Sequence, residues 1–252
     1  MLKHMKKSLY SIITVTLLLA LSFYHAEAGN KVGGCVVLLH GLARTEKSLS
    51  KLEQYLESVG FFVVNIGYSS RQKTVQELSV EVIPTAIALC NEQNAGKVHF
   101  VTHSMGGILV RYYLEHNKIP ELGRVVMLSP PNQGSEVVDK LKGTAIFEWL
   151  HGPAGQQLGT DDSSLPKTLG APVYEVGIIT GDKSINPILS LLIPGKDDGK
   201  VSVENAKLHG MKDFLVVHKA HPFIMNDEEV LRQVVVFLKN GLFERETNQT
   251  ND

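Results

Sequence analysis

Between Val98 and Gly107 the chain reads Val-His-Phe-Val-Thr-His-Ser-Met-Gly-Gly, with Ser104 set between that short apolar run and a second one, Ile108 to Leu114. A serine on a sharp turn from strand to helix lifts its hydroxyl above the sheet, where a histidine and an incoming carbonyl can both reach it. Gly106, two residues on, lets the new helix pass close to the strand it has just left. The chemistry such a nucleophile elbow supports is attack on a carbonyl carbon. It needs three partners: a base to take the serine proton, a group to orient that base, and two donors for the developing oxyanion.

Each partner can be sought separately. The base belongs on a loop beyond the last strand, and His209, His218 and His221 are the candidates there. His221, in Ala220-His221-Pro222-Phe223, falls in the loop before the last helix and is the favoured base. For the orienting acid, Asp182 directly follows a strand, whereas Asp197 and Asp198 lie in an Asp-Asp-Gly turn that returns the chain into Val201. The oxyanion donors are expected to be the backbone N–H of Met105, at a helix start, and that of Leu42, in the His40-Gly41-Leu42 loop after the first apolar strand.

These residues need a frame. Apolar runs at Val32 to Leu39, Phe61 to Ile66, Lys97 to Thr102, Arg124 to Ser129, Val173 to Thr180 and Phe214 to Val217 read as buried strands. Helical patterns alternate with them. Leu49, Leu52, Leu56 and Val59 recur at helical spacing up to Gly60, and Thr74 opens a capping box for a helix to about Glu92. Val230, Val234, Val235 and Leu238 carry a final helix that Gly241 ends. Apolar strands alternating with helices predict an α/β protein with a mostly parallel sheet of about six strands and helices on both faces. Residues 131–171 are long for a connection and are expected to form a lid or binding wall, with Ser135 to Leu150 helical; residues 244–252 read as a polar tail. The apolar stretch Ile185 to Ile193 beside Asp197 and Asp198 reads three ways: an acyl-pocket lining, a contact with a lipid surface, or a buried segment.

A net charge of −1 with no basic patch argues against a nucleic-acid partner. The amino terminus has Lys3, Lys6 and Lys7 before an apolar core from Ile12 to Leu21, then Ala26-Glu27-Ala28. This predicts a signal peptide over residues 1–28, with an exported domain over 29–252. Of the two cysteines, Cys35 starts a strand and Cys90 lies near a helix end; a disulfide and two buried thiols are both compatible with that spacing. No ligand cluster for a metal is evident, and the chemistry calls for no cofactor.

Taken together, Leu38-Leu39-His40-Gly41-Leu42, Thr102-His103-Ser104-Met105-Gly106-Gly107, Asp198-Gly199-Lys200-Val201 and His221 resemble the alpha/beta-hydrolase family, and within it the compact bacterial lipases and esterases. The resemblance spans roughly Val32 to Leu242. It implies a three-layer hydrolase fold with Ser104 as nucleophile, Asp198 as the acid in preference to Asp182, and His221 as base. It also implies an ester substrate with a lipid or other apolar acyl group. The same triad serves acyltransferases and deacylases of complex lipids, and the fold also occurs in non-catalytic binding proteins. One departure stands out: the usual first glycine of Gly-x-Ser-x-Gly is Thr102, whose β-branch crowds the turn.

Overall fold

The computed structural model describes residues 33–245. The expected signal peptide and most of the polar tail therefore lie outside the described residues. In chain order the elements are β1 (Cys35–Leu39), a short 3-10 turn (Glu46–Leu49), α1 (Ser50–Ser58), β2 (Phe62–Ile66), α2 (Val75–Glu92), β3 (Val98–His103), α3 (Met105–His116) and β4 (Leu122–Leu128). Then come α4 (Glu136–Leu141), α5 (Ala145–Gln156), α6 (Leu165–Thr168), β5 (Val176–Gly181), α7 (Pro187–Ser190), α8 (Val203–Ala206), β6 (Asp213–Val217), a second 3-10 turn (Ile224–Asn226) and α9 (Glu228–Asn240).

Six parallel strands form one sheet in the order β2-β1-β3-β4-β5-β6. Alternate side chains feed two cores. Val37, Leu39, Phe100 and Met127 pack with α2 and α3 on one face; Val36, Leu38, Val101 and Val126 pack with α1 and α9 on the other. Strands buried on both faces must be apolar throughout, which is why they read as continuous runs. The strand order reverses between β1 and β3, and their ends stand side by side, Leu39 opposite Thr102. At such a switch point the loops that leave two neighbouring strands diverge and open a crevice.

Several boundaries move. β1 starts at Cys35 rather than Val32, because Gly34 turns the chain at φ +82° against the Lys97 carbonyl. β5 starts at Val176, where its pairing with Val125 begins, and Val173 is left exposed. The segment from Ser135 to Leu150 is two helices, broken at Gly143 (φ +80°). The capping box at Thr74 and the stop at Gly241 follow expectation, and Asp227 adds a third cap. Thr74 and Glu77 close a capping box on α2, Asp227 accepts from the Val230 N–H at the start of α9, and Gly241 is left-handed (φ 80°). Cys35 and Cys90 form a disulfide joining β1 to the end of α2.

The long connection from β4 is pinned at both ends by Arg111 of α3. This buried guanidinium donates to the carbonyls of Asn132 (2.9 Å) and Leu169 (2.9 Å). In between, Gln157 accepts from the Val75 N–H (2.8 Å) and donates to Gln76 (2.7 Å), while Gly152 lies so close to the Arg71 carbonyl that a Cβ there would sit 1.8 Å from it. Only glycine fits at 152, which also has φ +62°. Among the described residues no helix is long and apolar enough to cross a membrane.

Candidate active site

Ser104 sits between β3 and α3 with φ 54° and ψ −124°, a backbone conformation costly for a side chain with a Cβ. Two glycines behind it make the turn possible. A Cβ on Gly106 would lie 2.5 Å from the Leu39 carbonyl, so α3 can approach β1 only without one. Gly107 answers the crowding expected from Thr102: a Cβ there would lie 3.3 Å from the Thr102 hydroxyl and 3.2 Å from Pro130. The second glycine leaves the room that the threonine uses.

His221 follows β6 and is buried. Its Nδ1–H donates to Asp198 Oδ2 at 2.8 Å, leaving Nε2 as an acceptor. The Asp198 carboxylate is itself fully buried, and its Oδ1 accepts from the N–H groups of Lys200 (3.0 Å) and Val201 (2.9 Å). Burial alone would raise the Asp198 pKa. The facing imidazole, then the Ser129 hydroxyl and the Val201 N–H, outweigh it and hold the carboxyl below its ordinary range. The backbones are tied as well, the His221 N–H donating to the Asp198 carbonyl at 2.9 Å.

Ser104 and His221 line one cavity, without a hydrogen bond between their side chains. Leu42, Val137, Val138, Phe147 and Leu158 give that cavity apolar walls, most of them from the long connection after β4. Met105 opens α3, and the first N–H groups of a helix lack intrahelical acceptors. Leu42 lies on the loop after β1, with its N–H free of any backbone partner. That loop is held by His40, whose Nδ1–H donates to the Gly41 carbonyl (2.9 Å) and whose Nε2 accepts from the Tyr68 N–H (3.3 Å). Tyr68 stacks on His40, its hydroxyl donating to the His40 carbonyl, and burial lowers the His40 pKa. The loop is thus clamped from the segment that follows β2.

The rival residues are elsewhere. Asp182 pairs with the exposed His218 (2.8 Å) and with Lys196, outside the cavity. Asp197 accepts from Ser190 and from the Gly199 N–H, closing the turn that aims Asp198. His209 is exposed and takes no part. The stretch from Ile185 to Ile193 lines no part of the cavity; Ile185, Ile188 and Leu191 are exposed and only Ile193 is buried, so neither the pocket reading nor the buried reading describes it. Among the described residues no group of three or more His, Cys, Asp or Glu could hold a metal.

His103 makes a contact that its sequence neighbours do not reveal. Buried in the wall of the cavity, its Nε2–H donates to the His221 carbonyl at 3.0 Å, and the two rings lie 4.8 Å apart. Burial, then the nearby His221, holds its pKa well below the ordinary value. A neutral His103 therefore supports the backbone of His221. Its place next to Ser104 was visible, but not its contact across 118 residues of chain.

The parallel six-stranded sheet, with the elbow at its switch point, is that of an α/β-hydrolase. Residues 35–169 match the palmitoyl protein thioesterase family, and the chain belongs to that family. No curated protein matches the sequence. Similar solved structures include the mature lipase BlEst2 of Bacillus licheniformis, with TM-score 0.66 and 18% identity over 82% of this chain and 91% of that one. The Pyrococcus furiosus esterase Pf2001 (0.58, 17%, 83% and 84%) and the Legionella pneumophila phospholipase PlaB (0.58, 17%, 82% and 57%) share the fold.

Proposed function

We propose that the chain is an exported serine hydrolase that cleaves carboxylic esters with an apolar acyl group through an acyl-enzyme. The observation that carries this reading is that Ser104 shares an apolar-walled cavity with His221, whose other ring nitrogen is bonded to the buried Asp198. Ser104 Oγ attacks the ester carbonyl as His221 Nε2 takes its proton, a contact that tightens when substrate fills the cavity. The N–H groups of Leu42 and Met105 receive the oxyanion. The imidazolium then returns its proton to the leaving alcohol, and a water activated by His221 releases the acid. Asp198 holds Nδ1–H in place and stabilises the transient positive charge.

The family and the lipase and phospholipase folds named above support an apolar acyl group. Export is supported by the lysine-led apolar amino terminus and by the Cys35–Cys90 disulfide, which an oxidising compartment sustains. The test is Ser104→Ala on p-nitrophenyl esters: hydrolysis should fall by about 10³-fold or more, and labelling by a fluorophosphonate probe should vanish. Undiminished hydrolysis would refute the reading. Export is checked by sequencing the mature amino terminus, expected at Gly29.

A further inference from the structure

Arg44 stands where two cavities meet. One is the apolar-walled cavity of Ser104 and His221, which Lys200 also lines. The other is a polar groove bordered by Arg44, Lys47 and Arg71 together with serine and threonine hydroxyls. No Asp or Glu lines either one. None of the four cations forms an ion pair among the described residues.

The two inner cations are set on the loops that carry the site. Arg44 follows Ala43, whose N–H donates to the buried Ser70 hydroxyl at 3.0 Å and whose φ is 54°. Lys200 has its N–H on the Asp198 carboxylate and its carbonyl on the Ser135 hydroxyl (2.7 Å). Their charges are felt by one another and by their neighbours. Partial loss of water, and next the Arg44 guanidinium, lower the Lys200 pKa, although much of that residue stays open to solvent. Buried His103 feels both Arg44 and Lys200, and His151 feels Lys200 and Arg71. Asp198 acts the other way on Lys200, but its carboxylate is already taken by His221. Cations gathered without an ion-pair partner of their own repel, and an anion placed among them relieves that repulsion.

We propose that Arg44 and Lys200, continued by Lys47 and Arg71 along the groove, form an anion subsite for a phosphate carried by the leaving group of the substrate. This rests on the hydrolase reading of Ser104 and His221. The acyl chain lies against Val137, Val138, Phe147 and Leu158, the carbonyl sits at Ser104, and the leaving group runs outward past Arg44. In the net reaction the acyl C–O or C–S bond breaks and water supplies OH to the acyl group and H to the leaving atom. The phosphate ester bond stays intact. Such a phosphate is found in glycerophospholipids, close to the carbonyl, and in acyl-coenzyme A, farther from it.

Two matched pairs test this: hexanoylglycerol against hexanoylglycerol phosphate, and hexanoyl-N-acetylcysteamine against hexanoyl-coenzyme A. In at least one pair the phosphate-bearing member should have the higher kcat/KM, by about tenfold at low salt, and added salt should shrink the advantage. Arg44→Gln with Lys200→Gln should bring that ratio close to one, whereas Arg44→Lys with Lys200→Arg should keep most of it. Fluorophosphonate labelling of Ser104 verifies that each variant is folded. A preference in the glycerol pair assigns the lipid-type phosphate, and one in the thioester pair the coenzyme type. Ratios near one in both pairs of the wild type, or a ratio that survives the double Gln variant, overturn the subsite and leave the hydrolase reading standing. No hydrolysis of all four compounds together with no labelling overturns both.

Discussion

Among the described residues two carboxylate–histidine pairs have equal length, and they are opposites in everything else. Asp198–His221 and Asp182–His218 each close at 2.8 Å. In the first, the side chains are 0% and 5% exposed; in the second, 17% and 75%. Asp198 is fixed by two backbone N–H donors and His221 by His103 behind it, whereas Asp182 is shared with a mobile-chain partner, Lys196, at the surface. Distance therefore says little about function. What separates the pairs is how many other bonds fix each member, and whether the free imidazole nitrogen opens onto a cavity that also holds a serine.

The two pairs should differ most when each acid is neutralised in turn. Asp198→Asn should lower kcat on a p-nitrophenyl ester by about 10⁴-fold, through loss of the correct imidazole tautomer. Asp182→Asn should change it by less than about twofold. Equal losses would mean that the exposed pair takes part in the chemistry. A smaller effect is expected one step further out. His103→Phe removes the bond to the His221 carbonyl and should lower kcat by about 10-fold to 100-fold with KM nearly constant, since a displaced base misplaces the proton transfer. Lys196→Ala, its counterpart beside Asp182, should leave kcat within about twofold of the wild type.

Stability offers a third contrast. Asp198→Ala strands a buried imidazole and two backbone donors and should cost about 3 kcal/mol in urea unfolding. Asp182→Ala should cost less than about 1 kcal/mol, as for other pairs open to water. The mildest effect is pH-dependent. Burial lowers the pKa of His99 to about 4 and holds His103 well below its ordinary value. Between those values and about 6.5 the unfolded chain binds more protons, so stability is full above about 6.5 and falls as the pH drops. Asp198 and Asp182, both held below the usual carboxylate range, give up their contribution only below about 4. Thermal midpoints recorded from pH 7 to pH 3 should thus decline in two stages, and His99→Gln should flatten the first.

Much of this architecture was legible because burial on both faces forces apolar strands, and because Ser104 with Gly106 can satisfy the elbow's backbone only in one way. Asp198 was harder. Asp182 directly follows β5, yet its N–H pairs with the Val217 carbonyl and its side chain faces His218, a consequence of the β5–β6 register that no local pattern encodes. Spacing left three acids open, and resemblance alone favoured Asp198. The disulfide, the bracket made by Arg111 and the convergence of Arg44 with Lys200 depend on where loops fold back in space. Gly34 and Gly143 displaced element boundaries because each adopts a backbone turn that interrupts an apolar pattern.

The clamp that Gln157 makes on Val75 and Gln76, with Gly152 seated on the Arg71 carbonyl, bears on how tightly a ligand can be held. A cavity wall that must be ordered by its ligand loses about 0.5–1.5 kcal/mol of affinity for each rotamer-rich side chain it immobilises. Here the wall is ordered by helix α2 and the loop after β2 before anything enters. The loss of conformational entropy is therefore incurred during folding, and a ligand in the cavity retains more of its contact energy as affinity.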